Sequence, residues 1–195
     1  MRKLKLQVQM SIDGFIAGPN GEMNFMVWDW DDKLKDYVGD ITNSVDCILL
    51  GRKLAEGFIP YWATVAANAD DPQVSAGKKF TETTKVVFSK TLESSAPGEN
   101  GWNNTVVTNN DLVEEITKLK NEDGKDIIAY GGANFVSALI KEGLIDELHL
   151  FINPAAIGNG MPIFKDLASK QAMNLIKVSS FDCGIVVLKY EPKSN

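Results

Sequence analysis

The chain opens on an alternation. Leu4, Leu6, Val8 and Met10 are apolar, and Lys3, Lys5, Gln7 and Gln9 between them are polar. That two-residue period predicts a strand with one apolar face. Short apolar runs at 45–50, 85–88, 105–108 and 127–130 predict four more strands, the first holding Cys47 and interrupted by Asp46. Residues 148–152 predict a sixth. Residues 174–181 and 185–190 flank Asp182-Cys183-Gly184 and predict a hairpin, hence an antiparallel edge. Helical spacing appears between these runs. Leu34, Tyr37, Val38 and Ile41 share one face behind a cluster of capping acids. Residues 54–58 read as the first turns of another helix. Leu112, Ile116 and Leu119 point inward, with Glu114 and Glu115 early and Lys118 and Lys120 late, which suits a helix dipole. Phe135, Val136, Leu139 and Ile140 complete the set, with Gly143 placed as a helix-ending glycine. Residues 60–77, polar and alanine-rich around an inward Trp62, predict an irregular or short-helical insertion, and 97–104 is turn-rich. Strands thus alternate with helices to about residue 150 before the hairpin. The pattern predicts an α/β fold: one domain over 1–195, a mixed, mostly parallel sheet with helices on both faces.

The chemistry gathers where strands meet helices. At 126–164 the order is strand, Gly131-Gly132, helix, strand. Glycines allow close approach of a ligand, and a helix start offers unpaired N–H groups, so this is either a phosphate cradle or a plain turn. Gly51-Arg52-Lys53 is a second such junction, with two cations and Glu56 within ion-pair reach. Ser89-Lys90-Thr91 follows a third strand. Ligands of such folds bind outside the carboxyl ends of the strands, so three loops at one edge predict a polyphosphate site with surplus positive charge. That surplus favours NADP over NAD.

Residues 11–21 are a glycine-rich loop, read either as an active-site flap or as a surface connection. Trp28 and Trp30 stand among Asp29, Asp31 and Asp32. These acids cap a helix, or one of them passes a proton to a ring on which a tryptophan stacks. Gly158-Asn159-Gly160 lacks the third glycine and the helix of a dinucleotide fingerprint. Ser75 and Lys78 match S-x-x-K without its companion motifs, a chance occurrence.

Charge and composition narrow the classes. Twenty Lys and Arg against 26 Asp and Glu give −6, a poor match for nucleic acid or an anionic membrane. No run approaches a membrane span, and the N-terminus lacks a signal-peptide core, so the expected location is the cytoplasm. Two distant cysteines exclude a disulfide framework, and a single histidine, His149, excludes the usual zinc sites, so no metal is expected. His149 alternates with Leu148 and Leu150 as a strand side chain.

Five segments in order carry a family resemblance: Ser11-Ile-Asp-Gly-Phe-Ile-Ala17, Leu49-Leu-Gly-Arg-Lys53, Val87-Phe-Ser-Lys90, Tyr130-Gly-Gly-Ala-Asn134 and Asp146-Glu-Leu-His-Leu150. Over nearly its whole length the chain resembles the dihydrofolate-reductase-like superfamily, in particular the reductase domain of the bifunctional riboflavin-biosynthesis deaminase/reductase. The resemblance implies a dihydrofolate-reductase-like three-layer sandwich. It implies an NADPH-dependent reductase that passes hydride to a small pteridine- or pyrimidine-like heterocycle or a carbonyl compound. By matched motif, Ala17 would lie near the nicotinamide, and Gly51, Arg52 and Lys53 would hold phosphates. Ser89 and Lys90 would meet the adenosine 2′-phosphate, and Gly131, Gly132, Ala133, Asn134 and Phe135 the pyrophosphate. Leu54 stands where the family usually carries threonine, so a hydroxyl is lost while a backbone N–H remains. The zinc-bearing deaminase domain is absent, which implies a stand-alone reductase. Asp13, Asp29 and Asp31 are the weak candidates for a proton donor. The resemblance also implies a homodimer. Two other functions fit the same loops: a non-catalytic dimeric NADP-binding protein, and a phosphosugar-binding domain.

Overall fold

The computed structural model describes residues 1–93 and 102–193. The strands are β1 (Leu4–Met10), β2 (Val45–Gly51), β3 (Thr84–Phe88), β4 (Thr105–Thr108), β5 (Asp126–Tyr130), β6 (Glu147–Ile152), β7 (Met173–Ser180) and β8 (Val186–Pro192). The helices are α1 (Asp32–Asn43), α2 (Arg52–Ala67), α3 (Val74–Glu82), α4 (Leu112–Asn121) and α5 (Ala133–Lys141). All the strands join one sheet in the order β4-β3-β2-β5-β1-β6-β8-β7. β1 to β6 are parallel, and β8 and β7 close the sheet antiparallel. The expected α/β sandwich, mostly parallel sheet and terminal hairpin are all present. Parallel pairing has one decisive effect: Met10, Gly51, Phe88, Thr108, Tyr130 and Ile152 all end at the same edge.

Two cores sandwich the sheet. On one face Leu4, Leu6, Val8 and Met10 of β1 pack with Ile116 and Leu119 of α4 and Val136, Leu139 and Ile140 of α5. On the other, Ile48, Leu50, Ile128 and Phe151 pack with Leu34 and Ile41 of α1, Ala55 and Ile59 of α2 and Phe80 of α3. Alternation alone did not anticipate that β1 buries its polar face too. Lys5 and Gln7 are both buried, because β1 lies between β5 and β6. Lys5 meets Asp126 at 2.9 Å and the Ser44 hydroxyl at 2.7 Å.

The stretch 60–77 differs from expectation. α2 runs unbroken through Pro60 to Ala67, and α3 follows. A proline there forgoes a helical hydrogen bond. Packing outweighs that loss: Trp62 and Phe80 ring centroids lie 4.5 Å apart, and Phe58 and Phe80 5.4 Å. Gly77 permits this crossing, since a Cβ there would sit 2.7 Å from the Ala66 nitrogen. Of the turn-rich 97–104, residues 97–101 lie outside the described residues, and Asn103 and Asn104 form a turn. Among the described residues no helix is long and apolar enough to cross a membrane.

Candidate cofactor and substrate site

Helix starts at this edge fall into two kinds. α1 is capped by Asp31, whose Oδ1 accepts from the Leu34 N–H at 3.0 Å. α4 is capped by Asp111, which accepts from Val113 and Glu114. α2 and α5 begin instead at Gly51 and Gly132, with no side-chain cap and no acid in the first turn. Their strands, β2 and β5, are neighbours. Two sets of uncapped N–H groups and two positive dipole ends therefore meet at one place, where an anion would complete them.

The glycines are required by geometry. Gly132 has φ +87°, a conformation that side chains resist. A Cβ on Gly51 would lie 2.9 Å from the Phe135 Cβ. Phe135 also stacks on Phe88, with centroids 5.3 Å apart, so one ring ties the ends of β2 and β3 to the start of α5. Ala133 and Asn134 form the first positions of that helix, and Asn134 Oδ1 accepts from Lys165 Nζ at 3.1 Å. Leu54 faces Gly131 from the first turn of α2. Arg52 pairs with Glu56 at 2.6 Å, and Lys53 is exposed beside it. Ser89 is buried: its Oγ accepts from the Leu92 N–H at 2.9 Å and the Thr91 N–H at 3.1 Å. Ser89 thus shapes the turn that presents exposed Lys90. These residues suit a polyphosphate anion: N–H groups without caps, a close glycine-lined approach, and the cations Arg52, Lys53 and Lys90 on the loops at this edge.

The other half of the edge follows β1 and β6. The loop after β1 is stapled rather than free. The Asp13 carboxylate accepts from the Gly158 N–H at 2.6 Å and from Ile157. Ala17 is buried, and its carbonyl accepts from the Met161 N–H at 2.8 Å. Phe15 bridges Pro162, and a Cβ on Gly160 would run into the Ala17 carbonyl oxygen. Asn153, fully buried after β6, accepts from the Val27 N–H at 2.8 Å and donates to Gln9 Oε1 at 2.8 Å. Trp30 donates through Nε1 to the Val27 carbonyl. Trp28, between these two pinned residues, is 64 % exposed.

The three candidate acids fare differently. Hydrogen bonds from Ser11, Gly158 and Ile157 hold the Asp13 carboxyl below its ordinary value. Burial would raise the Asp31 carboxyl, but the Cys183 and Leu34 N–H groups outweigh it and hold it low. Both are engaged acceptors with structural work. Asp29 stays exposed between the two tryptophans. Among the described residues no group of three or more His, Cys, Asp or Glu could hold a metal. Sequence reasoning missed Asn153 and Lys165, which lie in a long irregular connection without periodicity. It also missed the buried chain of Glu147, His149 and Tyr37: His149 Nε2 is 2.6 Å from Glu147 Oε1, and Nδ1 is 2.8 Å from the Tyr37 hydroxyl.

The mostly parallel sheet between two helical layers, closed by an antiparallel hairpin, defines the class: a three-layer α/β protein with its candidate site at the carboxyl edge of the sheet. Comparison with known proteins gives the family. Residues 2–187 match the RibD C-terminal domain, and the chain belongs to that family. It is 32% identical over 191 residues to the uncharacterized protein YyaP of Bacillus subtilis, covering 97% of this chain and 94% of that one. In fold it resembles a protein of Shewanella sp. PV-4 assigned provisionally to riboflavin biosynthesis, with TM-score 0.72 and 21% identity over 98% and 99% of the two chains. It also resembles the diaminohydroxyphosphoribosylaminopyrimidine deaminase/5-amino-6-(5-phosphoribosylamino)uracil reductase of Thermotoga maritima, with TM-score 0.68 and 18% identity, over 98% of this chain and 57% of that one.

Proposed function

We propose that this protein is an NADPH-dependent reductase of a small heterocycle, pyrimidine- or pteridine-like, or of a carbonyl compound. The observation that carries the proposal is the pair of glycine-capped helix starts, α2 and α5, side by side after neighbouring strands. When bound, NADPH would supply the hydride. This chain's own residues would bind and orient it: the N–H groups of Gly131, Gly132, Ala133, Asn134 and Phe135 toward the pyrophosphate, and Gly51, Arg52 and Lys53 toward the phosphates. Lys90, on the turn shaped by Ser89, would meet the 2′-phosphate. Ala17 would border the nicotinamide from its stapled loop. The substrate would lie at the ends of β1 and β6, beside Trp28 and Asp29. Among the described residues Asp29, unlike Asp13 and Asp31, is held by no hydrogen bond or ion pair, which favours it as proton donor.

Titration of tryptophan fluorescence with NADPH and NADH tests the cofactor. Micromolar NADPH binding, weakened by Arg52→Ala and Lys90→Ala and with NADH much poorer, is the expected result; no binding of either removes the assignment. NADPH oxidation across dihydropteridine and pyrimidine substrates then separates the enzyme from its alternative, a dimeric NADP-binding protein without turnover. That alternative draws support from the structural commitment of Asp13 and Asp31. Pairing into a homodimer, as the resemblance implies, would use the edge strand β7.

A further inference from the structure

The connection from β6 to β7, residues 153–172, is long for a compact domain and holds no helix or strand of its own. Connections of that length inside compact domains are usually either functional or disordered linkers. This one is fixed at successive points. Asp13 holds Ile157 and Gly158, Met161 exchanges main-chain hydrogen bonds with Ile16 and Ala17, and Ile163 is fully buried in the core under α5. Phe164 and Leu167 pack on that same core. Lys165 therefore emerges between two anchored apolar residues, and its exposed ammonium meets Asn134 at the first turn of α5.

The partner is unusual for a lysine so placed. Among the described residues Lys165 pairs with no carboxylate, whereas Arg52, the cation at the neighbouring helix start, is held by Glu56. A neutral amide oxygen offers an ammonium less than an anion does. Asn134 also stands beside Gly132, where α5 lacks any cap. An anion seated on the N–H groups of that first turn would lie within the sweep of the four-carbon lysine stem.

We propose that Lys165 is a ligand of the cofactor diphosphate, parked on Asn134 until the anion arrives. The inference rests on the NADPH reading above. It adds a cation from a segment that no phosphate-binding motif of this chain contains. It also makes the 153–172 connection a strap along one half of the bound cofactor, from the nicotinamide, with Gly160 and Met161 beside Ala17, to the diphosphate at Lys165.

The test is NADPH affinity, measured by calorimetry at several salt concentrations, for the wild type, Lys165→Met, Lys165→Arg and Arg52→Ala. Lys165→Met is expected to bind roughly tenfold more weakly, the scale of one lost charge-assisted hydrogen bond. Its affinity should also fall less steeply with salt, because one ionic contact is gone. Lys165→Arg should retain most of the affinity. The thermal midpoint should not move, since the side chain is exposed, and this separates lost binding from lost folding. Wild-type affinity and salt dependence in Lys165→Met, while Arg52→Ala is impaired, would overturn this inference alone. A wild-type protein that binds no NADPH would overturn both it and the reading beneath it.

Discussion

Glu147 is buried in β6, yet it is a carboxylate. Burial pushes its pKa up, but hydrogen bonds from His149 and Lys189 outweigh that and hold it at about 2. The group's folded value lies below its ordinary 4.5, so its contribution to stability is complete above 4.5 and is lost as pH falls from there toward 2. Glu147→Gln should cost about 3 kcal/mol at pH 7, because one partner of a buried ionic cluster is removed. Urea denaturation at pH 7 and pH 3 checks both parts: the variant should be less stable at pH 7, and its deficit should shrink at pH 3. The sequence showed only a histidine in a strand. Its partners are Glu147, two residues back on the same face of β6, and Tyr37 of α1; the strand period puts Glu147 beside His149, but nothing local could bring Tyr37 to it.

At the level of elements, the site is a matter of how helices begin. α1 and α4 bring their own aspartate caps, and α2 and α5 do not. Gly132→Ala introduces a Cβ at φ +87° and should destabilise the protein by about 1 kcal/mol. It should also weaken NADPH several-fold, because the N–H groups it displaces belong to the cradle. Thermal unfolding with and without NADPH reads both effects; an unchanged ligand-induced shift would separate Gly132 from the site. The glycine–helix junctions were legible in the sequence because the strand, the glycines and the helical period are all local. The stapling of the loop after β1 was not, since Asp13 and Ile157 are brought together only when β1 and β6 pair.

Across the whole molecule, one stretch is strongly acidic and one edge strand is apolar. The stretch 22–40 carries Glu22, Asp29, Asp31, Asp32, Asp36 and Asp40 against Lys33 and Lys35 alone. Both lysines are already paired, with Asp182 and Asp32. The cations Arg52, Lys53 and Lys90 stand at the other half of the edge. A phosphorylated substrate would meet repulsion beside α1, so uncharged pyrimidines or pteridines should show higher kcat/KM than phosphoribosyl derivatives, and raising the salt should narrow the gap. A panel of both kinds at two ionic strengths decides it. β7 is an edge strand with Leu175, Ile176 and Val178 each about half exposed. Such an edge invites a second strand. Light scattering should give a dimer mass for the wild type and a monomer for Val178→Lys; a monomeric wild type removes the homodimer.

By itself the sequence determined the order of the strands and of every helix but α3, the glycine junctions and the terminal hairpin, because each follows from periods and turn residues within a dozen positions. It also put the three candidate loops at one edge, since parallel strands must place their carboxyl ends on one side. Tertiary structure alone decided which neighbours those loops would have. It put β5 between β1 and β2, so that α2 and α5 start side by side. It buried the polar face of β1, carried α2 straight through Pro60, and brought Lys165 to Asn134. These outcomes depend on contacts between residues far apart in the chain, whose energies no local pattern encodes.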